Sequence, residues 1–334
     1  MVFAFHLHFG GVNYGIFSHF ISMGAMFMTG FFMLSGFAIS YVYSDESLIT
    51  IDNLKKFYLR RAINIFPVYW LYISYRTFVF EDALVNKIMT LPIEALGLQS
   101  IWHGLSLYGH NDGTWFISCI LFCYALFPFA KEILWQISFR SKIIVFIVFS
   151  IISVYTPFLC KVTRFDFIYS IYSDCIFRFL EFSLGCILFS VMTDNRFKKC
   201  DLLNTWYAFL IELGILIAGV SIGVMLGIGT EDYILYSVIG IPLFTSMLFT
   251  LSGVEVNNSI VRHIIIYFRN ISYEFYLMQY FAFLLAPKIL DALNIYSNMN
   301  RIIVSILLCI FISTAVYYLF EKPVTKKLRK MFRC

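Results

Sequence analysis

Three groups of residues in this chain have types and spacings suited to chemistry in or beside an apolar phase. The first is His6-Leu7-His8, with His19 beyond it. A neutral imidazole accepts a proton near pH 7, which suits general-base work. The structural alternative is an interfacial histidine bonded to a nearby carbonyl. His6 and His8 lie about 200° apart round a helix, so they face different surroundings. His6 is the histidine placed within a helix at depth. His103, His110 and His263 fall in expected loops, and His19 falls near an outer interface.

The second group is Lys55-Lys56-Phe57-Tyr58-Leu59-Arg60-Arg61-Ala62-Ile63-Asn64-Ile65-Phe66-Pro67, four cations leading into an apolar run. Lys55 and Lys56 need no explanation beyond anchoring a membrane helix. The adjacent Arg60 and Arg61 are less ordinary, because arginine forks match phosphate oxygens. A phosphorylated cytosolic substrate fits them, and so does simple anchoring. The third group is Arg178 with Glu181, three residues apart on one helix face. Inside a membrane such residues neutralise each other. A buried pair that fixes packing and a direct catalytic role both remain open. Two weaker features are Ser35-Gly36, small enough for close helix approach, and Glu321, placed where the last helix leaves the membrane. No GxSxG elbow surrounds Ser35, so it is not read as a nucleophile.

The elements that must position these residues are membrane helices. Of 334 residues, 60% are hydrophobic and 13% charged, with 38 Phe and 22 Tyr, and mean hydropathy is +0.80. Soluble chains carry about a quarter charged residues. The net charge of +5 is spread through short loops rather than one aromatic-lined basic face, which argues against a nucleic-acid partner. The eight cysteines lie mostly in apolar runs, and their spacing does not suggest a metal site.

Runs of about 20 apolar residues span a bilayer. The sequence predicts spans at Met23–Ser44, Ala62–Phe80, Thr114–Ala130, Ile143–Cys160, Ser173–Met192, Trp206–Gly227, Tyr233–Leu251, Ile271–Ala286 and Ile302–Phe320. Met1–Phe9 is a tenth apolar stretch, too short to cross and without a signal-peptide pattern. The expectation is an all-α polytopic membrane protein of about ten helices, its first one cut short by a misassigned or truncated start. Alternate loops from Asp45–Arg61 onward hold most of the 25 Lys and Arg, which places both termini in the cytoplasm. The Glu81–Gly113 connection, with Trp102, His103, His110, Asn111 and Asp112, and the Lys161–Tyr172 connection then lie outside. No internal repeat or linker divides the chain, so residues 1–334 are read as a single domain.

Taken in order, these segments resemble the membrane acyltransferase family 3, whose bacterial members O-acylate cell-surface glycans. Phe31-Phe32-Met33-Leu34-Ser35-Gly36-Phe37 is similar to the family's second-helix motif, and Phe57 to Trp70 to its basic turn and third helix. Thr114-Trp115-Phe116-Ile117-Ser118 with Tyr124 and Phe127-Pro128 resembles the fourth helix. Arg178-Phe179-Leu180-Glu181-Phe182 with Gly185 resembles the sixth, and Ile271-Ser272-Tyr273-Glu274-Phe275-Tyr276-Leu277 and Glu321-Lys322-Pro323 the closing segments. The family's first-helix histidine falls at His6, while the arginine that accompanies it would precede Met1. Asn64 and Gln279 depart from residues common at those positions, arginine and histidine, and Ile120 and Leu121 stand where some members have glutamate. The resemblance implies an O-acetyltransferase of the bacterial inner membrane. It implies acetyl-CoA as donor and a sugar hydroxyl of a lipid-linked or exported polysaccharide, such as O-antigen of lipopolysaccharide or capsule, as acceptor. Arg60 and Arg61 would meet coenzyme A phosphates, His6 would act as base or acyl carrier, and Arg178 and Glu181 would shape the cavity. A metal is not implied. The alternatives are a glycan flippase, a membrane glycan polymerase, or an inactive relative.

Overall fold

Long apolar runs leave the backbone in lipid no partner but itself, and the helix is the solution that pairs its N–H and C=O groups internally. The computed structural model describes residues 1–79, 84–101, 113–163, 171–197, 206–225, 233–295 and 297–332. Trp102, His103, His110, Asn111, Asp112, Lys198, Lys199, Cys200, Arg333 and Cys334, with the span ends Phe80 and Gly227, lie outside the described residues. Among the described residues every regular element is helical. The helices are α1 (Val2–Phe9), α2 (Ser18–Ser22), α3 (Phe27–Val42), α4 (Ile51–Val79), α5 (Leu84–Ala95), α6 (Trp115–Gln136) and α7 (Phe139–Thr163). They continue as α8 (Cys175–Met192), α9 (Trp206–Met225), α10 (Tyr233–Leu251), α11 (Ser259–Ala292), α12 (Asn298–Val316) and α13 (Lys322–Phe332). A π-turn at Tyr317–Glu321 joins α12 to α13.

Among the described residues five segments are long and apolar enough to cross a membrane: Gly15–Val42, Trp115–Gln136, Phe139–Cys160, Cys175–Met192 and Asn298–Phe332. Ala208–Gly219 and Ser237–Leu251 are shorter apolar helices. The protein is therefore helical and multi-pass. The outward faces suit lipid: Ile144 and Ile151 on α7 are 60% and 58% exposed, and Phe311 on α12 is 71% exposed.

Helix α5 falls inside the Glu81–Gly113 stretch read as a connection, and three further differences bear on the candidate residues. The basic segment before Ala62 is not a turn but part of α4, which starts at Ile51. Thr50 begins it, its carbonyl accepting from Leu54 N at 2.9 Å and its Oγ1 from Asn53 N at 3.4 Å. His263 is likewise helical, because Asn258 caps α11 with its Oδ1, accepting from Ile260 N and Val261 N. The last helix runs on past Phe320 to Phe332.

The chain forms two compact units. The first comprises 1–2, 19–54 and 119–255, and its core is the packing of α3 on α8. Gly36 and Gly185 permit it. A Cβ on Gly36 would overlap the Phe182 carbonyl, and one on Gly185 would overlap that of Met33, so the two backbones touch where side chains are missing. The second unit comprises 3–18, 55–118 and 256–334, built on the α11–α12 hairpin. Phe3 of α1 packs on Phe275 and Phe283 of α11 at 5.2 and 5.0 Å between ring centroids. Tyr276 Oη of α11 donates to the Gly113 carbonyl at 2.9 Å.

Adding a methyl where two backbones meet forces them apart, at a cost of about 1–3 kcal/mol. Gly36→Ala should therefore lower the thermal midpoint of the purified protein by several degrees. Gly214→Ala, where a Cβ would meet nothing within 4 Å, should leave the midpoint unchanged or raised.

Candidate functional site

The three groups of candidate residues divide between the two units: Arg178 and Glu181 belong to the first, and His6, Arg60 and Arg61 to the second.

In the first unit, Asp174 caps α8 by accepting from Phe177 N at 2.6 Å, which sets Arg178 one residue further on. Arg178 is 3% exposed and Glu181 is fully buried. The i,i+3 spacing delivers the expected pair, Nη1 to Oε2 at 2.6 Å. Arg178 Nε donates to the Tyr172 carbonyl at 2.8 Å, and its guanidinium lies against the rings of Tyr172, Phe32 and Phe177. Thr29 Oγ1 of α3 donates to the other carboxylate oxygen of Glu181 at 2.7 Å. Both carboxylate oxygens are thus engaged, and the arrangement holds α8 to α3 as a fixed dipole. It suits shaping a site rather than moving a proton.

In the second unit, His6 lies half-buried near the end of α1, its ring 5.4 Å from that of Phe5. Arg301 Nη2 donates to the Gly10 carbonyl at 2.7 Å and ties down the end of that helix. His8 Nδ1 lies 2.9 Å from the Val12 carbonyl, so one nitrogen of His8 is spent on its own backbone.

Arg60 and Arg61 are half-buried on α4. The Arg61 guanidinium lies 5.9 Å from the Phe57 ring centroid, one turn back. Partial burial raises the neighbouring Tyr58 phenol above its ordinary value, keeping it a neutral hydroxyl at physiological pH. Pro67 stands inside α4 and deprives the Ile63 carbonyl of its helical donor. Tyr273 Oη of α11 donates to the Ile65 carbonyl at 3.0 Å and so ties α11 to α4 next to the proline. Further along, α4 and α11 with α12 form an open groove of about 490 Å³, lined by Tyr72, Tyr75, Phe281, Leu285 and Lys288. Its walls suit an apolar chain.

Sequence reasoning missed two features here. Glu321, placed by the sequence where the last helix leaves the membrane, is half-buried. It sits in the π-turn beside Glu274, which is fully buried on α11. Neither Glu274 oxygen accepts from an N–H or hydroxyl of the described residues. Glu274 lies inside an expected span and was detectable as an intramembrane charge; its partner was not. Arg76 is buried on α4, its guanidinium 4.0 Å from the Tyr280 ring centroid, and the same rule would have found it. Among the described residues no three His, Cys, Asp or Glu side chains gather as a metal site would require.

Removing one member of a buried pair costs about 3–5 kcal/mol, because the other charge is stranded. Glu181→Ala should therefore sharply reduce the yield and thermal midpoint of the purified protein. Thr29→Val should be milder, and Arg178→Met combined with Glu181→Leu should recover much of the loss, a result that scanning calorimetry in detergent can check.

A family model described as an acyltransferase domain matches residues 1–320, a stretch that contains His6, Arg60, Arg61, Arg178 and Glu181. No curated protein and no solved structure matches the chain. The match favours acyl transfer over glycan translocation or polymerisation. With its apolar helices, its buried ion pair and a match over nearly its whole length, the chain belongs to acyltransferase family 3 and is a multi-pass membrane acyltransferase.

Proposed function

We propose that this single-domain enzyme moves an acetyl group from acetyl-CoA to a sugar hydroxyl of a lipid-linked or exported polysaccharide. It works in the bacterial inner membrane with both termini in the cytoplasm. The observation that supports this most is the pair of adjacent arginines on α4, held at a turn pinned by Tyr273 within the family match. Two planar forks one residue apart suit a ligand bearing several phosphates, and coenzyme A is such a ligand. Topology supports the cytoplasmic side, since Lys and Arg favour it.

In the reaction, the acceptor hydroxyl attacks the thioester carbonyl, and a neutral His6 accepts the hydroxyl proton as the C–O bond forms. The C–S bond then breaks, and the thiolate takes the proton to leave as free coenzyme A. In a variant route a neutral His6 nitrogen attacks the thioester, forming a C–N bond as the C–S bond breaks and coenzyme A leaves with the imidazole proton. The acceptor hydroxyl then attacks, forming the C–O bond as the C–N bond breaks and returning its proton to the imidazole. Arg178 and Glu181 act by holding α8 against α3.

Lys replacement at both Arg60 and Arg61 keeps charge but loses the fork. The donor KM should rise while membrane yield holds; unchanged donor dependence would make these residues topology anchors only. His6→Ala should lower glycan acetylation by about 10²–10⁴-fold, the usual contribution of a general base. His8→Ala should be milder, because its ring is already bonded to the Val12 carbonyl. Full activity in His6→Ala would remove the histidine-base mechanism.

A further inference from the structure

We propose that Arg329 of the C-terminal helix α13, held by Asn64, is a third guanidinium of the donor's phosphate site. The proposal rests on the assignment of Arg60 and Arg61 to that site. Helix α13 carries Lys322, Lys326, Lys327, Arg329 and Lys330, a basic run that alone would read as a topology anchor. Arg329 differs from the others in its contact. Its Nη2 donates to Asn64 Oδ1 on α4 at 2.7 Å, across 265 residues of sequence.

Asn64 lies four residues beyond Arg60, on the same face of α4 and about 6 Å along its axis. The bond therefore brings a second cation to the face that carries Arg60. Like charges on one helix face repel, by about 0.5–2 kcal/mol for a pair about 8 Å apart between water and a protein surface. Nothing described offsets that repulsion. The ion pairs of the described residues are Lys131–Glu132, Lys142–Asp194 and Arg178–Glu181, and none involves Arg60 or Arg329. Cations gathered without a carboxylate await an anion.

The holding residue also fits. An amide positions a guanidinium without cancelling its charge, whereas an aspartate there would neutralise it. The bond uses one of the five guanidinium N–H donors, and among the described residues the remaining donors of Arg329 take no acceptor. The π-turn at Tyr317–Glu321 adds one residue to the helical path. It turns the face of α13 by about 100° from that of an unbroken helix and so sets the direction from which Arg329 approaches α4. The tail is thereby part of the donor site. The ligand recognised is a multiply phosphorylated group, coenzyme A, rather than a lipid headgroup.

The test is acetylation kinetics with acetyl-CoA, and coenzyme A binding by calorimetry, on the full chain in vesicles of neutral phospholipid with and without anionic phospholipid. Arg329→Gln and Asn64→Ala should each raise the donor KM and weaken coenzyme A binding about tenfold, with acceptor KM unmoved. Asn64→Asp separates the roles. It strengthens the hold on Arg329 while cancelling its charge, so a donor site predicts a raised donor KM and mere tail anchoring predicts none. Unchanged donor KM in Asn64→Asp or Arg329→Gln, with Arg60 and Arg61 replacements still raising it, overturns this proposal alone. No change in any of these variants overturns the assignment of Arg60 and Arg61 as well. An Arg329→Gln effect that appears only with anionic phospholipid shows a headgroup contact and also overturns the proposal.

Discussion

A guanidinium buried in a membrane protein must be neutralised where it stands, and in the first unit this constraint fixes the surroundings of Arg178. Glu181 takes the charge at 2.6 Å, the Tyr172 carbonyl takes another donor, and Thr29 completes the carboxylate. Each partner comes from a different stretch of chain, so satisfying the charge also fixes α8 against α3 and the segment that enters α8. The glycines at 36 and 185 are the steric side of the same arrangement. Only with backbones in contact can the Thr29 hydroxyl reach a carboxylate on the facing helix.

The second unit solves a different problem. Arg60 and Arg61 are half-buried on α4, and the phosphates of the donor are the counter-charge proposed for them. What they need is a rigid carrier. Helix α4 provides it by running unbroken from Ile51 through the arginines and through Pro67. Beside the proline, Tyr273 donates to the Ile65 carbonyl and ties α4 to α11. That tie comes from a tyrosine hydroxyl 208 residues away, a contact that no local pattern around Arg60 contains.

That contrast explains what the sequence could disclose. Each expected span overlaps a helix wherever residues are described, because long apolar runs have one structural outcome in lipid. The Arg178–Glu181 pair was legible because three-residue spacing on a helix dictates contact. Helix starts were less so. Thr50 and Asn258 cap α4 and α11 well before the apolar runs begin, which turned an expected basic turn and an expected loop histidine into helix. Pairings between distant segments were not legible at all. Glu274 with Glu321, and Asn64 with Arg329, depend on how α11, α13 and α4 pack, and neither partner carries any mark of the other in its own neighbourhood.

Residue type alone would rank Glu181 and Glu274 equally, as single carboxylates within apolar helices. Their surroundings separate them. Glu181 has each oxygen occupied by a donor, and a filled network in a low-dielectric interior is rigid and resists change. Glu274 is as deeply buried, yet neither oxygen accepts from a described N–H or hydroxyl, and another carboxyl lies beside it in a π-turn. A buried polar group left in that condition costs stability, and π-turns are frequent at functional positions. The same logic distinguishes His8, whose ring is tied to its own backbone, from Arg60 of α4 and Arg329 of α13, which are absent from the ion pairs of the described residues. The completed network round Glu181 marks the scaffold of this fold.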